Sequence, residues 1–125
     1  MDVEKQIEYW RTGARRDLAA ARSLVENRHP EHALFFAHLA LEKVLKAHVS
    51  KVTQKIPPKI HNLVRLTEIA KLSLGEDELD TLRRFDKYQI EGRYAGTVKV
   101  PINMRIARSD LAWAVKMMNR LKRKL

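Results

Sequence analysis

The stretch HALFFAHLALEKVLKAHV, His32 to Val49, is the most apolar of the chain, yet it carries three histidines and, inside one turn or so, Glu42, Lys43 and Lys46. On a helical wheel at about 100° per residue, Leu34, Ala37, Leu41, Val44, Leu45 and His48 share one broad side. Ala33, Ala40 and Ala47 extend that side with small residues, which lets a neighbouring helix come close. Glu42, Lys43 and Lys46 fall opposite, on a side that carries Phe35, Phe36 and Leu39 in the preceding turns. The pattern predicts a central helix, apolar all round in its first half and open to solvent or a cleft in its second. Glu42 and Lys46, four residues apart, are then expected to pair on the surface. The collar of Phe35, Phe36 and Leu39 calls for a cover, from another helix or from a second copy of the chain, and a homodimer is the expectation.

Further helices are predicted on either side. Val3, Ile7, Trp10, Ala14, Leu18, Ala21 and Val25 recur at steps of three or four, one stripe of a long first helix. It ends near NRHP, where Pro30 cannot continue a helix but can start the next. After Pro57 and Pro58, the segment IHNLVRLTEIAKL predicts a third helix with Ile60, Leu63, Leu66, Ile69 and Ala70 inward, closed at Leu74-Gly75. EDELD, residues 76–80, opens a fourth with acids that complement the helix dipole, and Leu79, Leu82 and Phe85 are its inward set. Gly92 is expected to stop it, before the loop RYAGTVKVP. Met104, Ala107, Leu111, Ala114, Met118, Leu121 and Leu125 alternate steps of three and four along a final helix. Several helices joined by short connections predict an all-α, antiparallel up-and-down bundle of four to five helices, forming one domain over residues 1–125.

Composition narrows the chemistry. With 45% apolar and 32% charged residues the chain suits a globular domain, and 4 Gly with 4 Pro favour few long helices over many strands. The absence of cysteine excludes a disulfide scaffold, a thiolate zinc site and a cysteine nucleophile. A charged N-terminus and no apolar run of membrane-spanning length lead us to expect a cytoplasmic protein with no membrane partner. Net charge is +10, unevenly placed: six basic residues and no acid lie from Lys43 to Arg65, and nine basic residues against Asp110 alone from Arg93 to Lys124. Such a field favours an anionic partner, whether RNA, a nucleotide or an acidic protein surface, although a lysine-rich soluble surface gives the same sum. His32, His38 and His48 lack the spacing of a metal-binding helix, so neither metal nor cofactor is expected. No phosphate-loop or dinucleotide fingerprint occurs.

In order along the chain stand A-x-x-A-x-E-K-x-x-K (Ala37, Ala40, Glu42, Lys43, Lys46), a proline-containing loop, H-x-L-x-x-L (His61, Leu63, Leu66) and R-Y (Arg93, Tyr94). This ensemble, spanning nearly the whole chain, resembles the HEPN domain family. The resemblance implies a helical bundle, commonly dimeric, that binds nucleotide or RNA. It also implies pairing with a small nucleotidyltransferase subunit in a two-component, toxin–antitoxin-like system. It makes Glu42, Lys43, Lys46, His61, Arg93 and Tyr94 the candidate ligand-binding set. Some family members are metal-independent RNases with four to six residues between an Arg and a His on a late helix. This chain departs from that pattern, since no histidine follows His61. Arg22 and His29 match the spacing in the wrong part of the chain. Arg22, His29 and His61 are therefore weak catalytic candidates, and an RNase or a non-catalytic assembly module are the alternatives to a binding subunit.

Overall fold

A computed structural model describes residues 2–93 and 102–125, with residues 90–93 described by their backbone alone. Its five helices are α1 (Val3–Glu26), α2 (Pro30–Thr53), α3 (Leu63–Ile69), α4 (Glu76–Arg93) and α5 (Met104–Lys122). The described residues are all-α, as the periodicity predicts. Pro30 opens α2 in its first turn, and Asp2, Asn62 and Asn103 cap the N-termini of α1, α3 and α5 through their side-chain oxygens.

The helix α2 is the hub and packs against each of the other four. Its most extensive contact is with α1, where Ala14 and Ala21 meet a partner rich in alanine. Lys43 reaches Asp17, and Lys46 lies over Trp10, so α1 and α2 run antiparallel. The α4/α5 pair is antiparallel too: Arg84 meets Asp110 and Arg120 meets Glu78. By contrast α2 and α5 run parallel, since His48 bonds the carbonyl of Leu121 and Lys51 that of Lys124.

Two expectations need correction. The third helix is shorter than IHNLVRLTEIAKL suggests: Ile60 precedes it, and it ends at Ile69 rather than at Leu74-Gly75. The end is a Schellman turn in which Lys71 (φ 55°) takes the left-handed position, with Leu72 N–H donating to the carbonyl of Thr67 and Lys71 N–H to that of Glu68. A side chain at that position hides the stop from a glycine-based reading. The second correction concerns α2. Its C-terminal half, read as open, is the buried half: every residue from Val44 to Ser50 is buried, whereas Phe35, Phe36 and Leu39 are only half-covered. A wheel locates the more apolar side of a helix, but it does not count the neighbours that pack around it, and here they close over Val44–Ser50.

Asp110 was also missed. Standing on the inward stripe of α5 and 5% exposed, it accepts from the Tyr88 hydroxyl (2.6 Å) and from Arg84 Nη2 (2.6 Å) and Nε (3.3 Å), tying α4 to α5 beside the stacked rings of Phe85 and Trp113. Burial first, and then the bond to Asp110, push the Tyr88 hydroxyl up to about 12. His48 moves the other way: burial lowers its pKa, opposed by the Leu121 bond and helped by Lys51 and Lys124.

These shifts give stability a sign at each end of the pH scale. The folded chain keeps the Tyr88 proton beyond the unfolded value of 10.0, so this contribution is complete below 10 and is lost as pH rises towards about 12. The folded chain resists a proton on His48, so that contribution is complete above 6.5 and declines as pH falls through the lowered value. Thermal melts across pH should therefore show a plateau with a fall on both sides. Tyr88→Phe should soften the alkaline fall, and His48→Gln part of the acid one.

Candidate functional site

Among the described members of the candidate set, Glu42 is the charge with the least access to water, 4% exposed at mid-α2. A carboxylate there is tolerable only if donors surround it. Two do. Lys46, one turn on and itself 6% exposed, donates to Oε2 at 3.1 Å. His61 reaches Oε1 with Nδ1 at 3.0 Å. An ionised carboxylate only accepts, so the proton of this bond sits on Nδ1. The Lys46 ammonium also lies 5.3 Å from the centre of the Trp10 ring, an aromatic face that compensates its desolvation.

A second carboxylate completes the cluster. Asp86 of α4 accepts from the backbone N–H of Leu63, the first residue of α3, at 3.0 Å and lies 3.0 Å from Nε2 of the fully buried His38. By the same reasoning the His38 proton sits on Nε2. Its Nδ1 edge has no hydrogen bond and faces Glu42 Oε1 at 3.9 Å. The connection between α2 and α3 is thus pinned twice, at His61 by Glu42 and at Leu63 by Asp86. The N-cap bond from Arg65 N–H goes to Asn62 and not to His61. His61 remains 47% exposed at its side chain, so it is the group of the cluster that water or a ligand can reach.

Of the sequence candidates, Glu42, Lys46 and His61 are brought together, but Glu42 and Lys46 pair in the interior rather than on the surface. Lys43 is not with them. It turns to α1 and binds Asp17 at 2.7 Å, its stem lying across Gly13. A Cβ at Gly13 would stand 3.0 Å from Lys43 Cδ, so a larger residue there would press on the Lys43 stem. The Arg93 side chain and Tyr94 lie outside the described residues. Arg22 and His29 are both exposed, and among the described contacts neither touches the other or His61. Among the described residues no group of His, Asp and Glu is arranged to hold a metal ion. Nor is any described helix long and apolar enough to cross a membrane.

His38 and Asp86 escaped the sequence reading. His38 sits one turn before Glu42, a spacing that signals a shared face, but Asp86 follows an inward Phe85 and reads as the start of a solvent side.

Comparison with known proteins decides the family. The HEPN domain model matches residues 7–124. The chain belongs to the HEPN family. Among solved structures it is similar to TT1696 from Thermus thermophilus, with a TM-score of 0.80 and 23% identity over 96% of this chain and 98% of that one. It is also similar to ST0689, an archaeal HEPN homologue, with a TM-score of 0.73 and 23% identity over 94% and 96%. At that identity the likeness speaks for the fold. No curated protein sequence matches. In this HEPN chain the E-K-x-x-K segment has a structural use: its Glu and second Lys form the buried pair, and its first Lys fastens α1 to α2.

Removing one partner of a buried pair leaves an uncompensated charge. Glu42→Ala should therefore cost roughly 3–5 kcal/mol in urea denaturation. Glu42→Leu combined with Lys46→Met should recover much of that loss, because the demand for a partner goes with the charge.

Proposed function

We propose that this HEPN chain is a nucleotide- or RNA-binding and partner subunit, acting as a homodimer beside a small nucleotidyltransferase in a toxin–antitoxin-like pair. The observation that carries the binding part is His61. Its ring is oriented by a buried carboxylate, half of its side chain remains accessible, and it lies within the acid-free segment Lys43–Arg65 of a chain of net charge +10. A ring held at Nδ1 presents its other nitrogen as an acceptor to an incoming hydroxyl, such as a ribose 2′-hydroxyl, with little freedom left to lose. Lys43 and Lys46, already neutralised by Asp17 and Glu42, are supports in this reading and not phosphate ligands. Family membership motivates the nucleotidyltransferase partner and the dimer.

The same oriented imidazole supports a second reading, a metal-independent RNase in which His61 takes the proton of a 2′-hydroxyl. In that reading Arg22 and His29 play no part.

One titration tests both. Fluorescein-labelled single-stranded RNA should bind the purified protein with an affinity that falls as salt rises. His61→Ala should weaken it about tenfold or more. No binding even at low salt would overturn the proposal and leave an assembly module. Running the same samples on a gel with EDTA present reads the nuclease alternative: cleavage abolished by His61→Ala supports it, and intact RNA removes it. Co-expression with a small nucleotidyltransferase should yield a complex larger than the dimer in sedimentation.

A further inference from the structure

Along the outer face of α1 runs an open groove of about 460 Å³ that does not involve the Glu42 cluster. Lys5, Tyr9, Thr12 and Arg16 follow one another at steps of four, three and four, so they form one stripe of the helix. Gly13 lies in the same groove, and Lys43 borders it from α2.

Tyr9 is 67% exposed, the most exposed large apolar side chain among the described residues. It is nevertheless held in place: its ring meets Trp10 edge-on, with centroids 5.0 Å apart and planes at 83°. Trp10 in turn lies under Lys46. A braced aromatic ring turned to solvent loses little freedom when something stacks on it.

The charges around it are sorted. Both carboxylates of the groove are engaged within the protein. Asp17 binds Lys43, and Glu8 accepts from Arg11 and from the Thr12 hydroxyl, each at 3.3 Å. Lys5 and Arg16 are exposed and have no carboxylate partner among the described residues. The groove therefore offers one uncompensated cation at each end and an aromatic face between them. Lys5 and Arg16 are eleven residues apart, about 16 Å along the helix. One phosphate group cannot meet both, whereas two phosphates farther apart on one strand can. An acidic peptide would satisfy the two cations but leave the ring without a purpose.

We propose that this groove is a second ligand site of the chain and takes a short run of single-stranded RNA, with a base stacked on Tyr9 and phosphates held by Lys5 and Arg16. The site shares with the preceding reading the premise of a phosphate-bearing ligand. It rests on different residues and does not need His61.

The test uses the full chain and a fluorescein-labelled single-stranded oligouridylate long enough to span the stripe, followed by anisotropy across salt concentrations. Tyr9 and Arg16 are exposed, so circular dichroism should show unchanged folding for their variants. Tyr9→Ala should weaken binding roughly tenfold, within the range measured for a lost base stack, while Tyr9→Phe keeps most of the affinity. Arg16→Gln should reduce the slope of log K against log salt by about 0.7, the value of one single-strand phosphate. A mononucleotide, UMP, should compete weakly, since it cannot bridge the two cations.

If Tyr9→Ala and Arg16→Gln bind like the parent while His61→Ala binds worse, the groove proposal is wrong and the His61 reading stands. The reverse pattern supports the groove and removes His61. UMP competing as well as the oligonucleotide would overturn the strand assignment. A polyglutamate of equal length that binds as tightly and is indifferent to Tyr9→Ala would make the groove a docking surface for acidic protein instead.

Discussion

A carboxylate in the middle of the central helix constrains most of what surrounds it. Glu42 is almost shut off from solvent, and its donors come from its own helix and from the connection that follows. Lys46 is drawn inward as its counter-ion and needs a covering of its own, which the Trp10 ring of α1 supplies. His61 is drawn in from the other side and brings the Pro57-Pro58 connection against α2. Asp86 then catches the first N–H of α3 and the His38 ring, which fixes α4 to the same place. Three helices, α2, α3 and α4, meet at one polar knot through hydrogen bonds that tolerate little displacement, and α1 joins it through the Trp10 ring.

The α4/α5 pair follows the same logic with different residues. Asp110 is buried on a stripe otherwise made of alanine, leucine and methionine, and Tyr88 and Arg84 converge on it. The apolar contacts of this bundle are largely alanine and leucine, which pack well in many registers. The buried carboxylates distinguish one register from its neighbours, because sliding a helix by one turn would strand a charge.

Much of this architecture is readable in the residues themselves. Regular spacing in α1 and α5 gave their inward stripes, and Pro30 and EDELD marked helix starts that the structure places at Pro30 and Glu76. The misreadings share one origin. Periodicity reports the average polarity of a face, so it cannot separate a charge that faces solvent from one that faces a partner supplied by another helix. Glu42, Lys46, Asp86 and Asp110 were all of the second kind. Their partners lie as far as 48 residues away, and apart from the Glu42–Lys46 step local spacing carries no trace of them. His61 is the instructive intermediate: the H-x-L pattern drew attention to it, but the Glu42 bond that orients it required the fold.

The parallel course of α2 and α5 bears on how the chain's positive charge is understood. Two helices whose C-terminal ends lie side by side bring two partial negative poles together, and their last carbonyls need donors. His48 serves Leu121 and Lys51 serves Lys124, with Lys122 and Arg123 close at hand in sequence. The cations at this end are therefore answering a field that the backbone itself creates. A portion of the +10 is spoken for before any outside molecule arrives, and the charge available for recognition is to be looked for on faces, such as that of α1, where no helix end stands behind it.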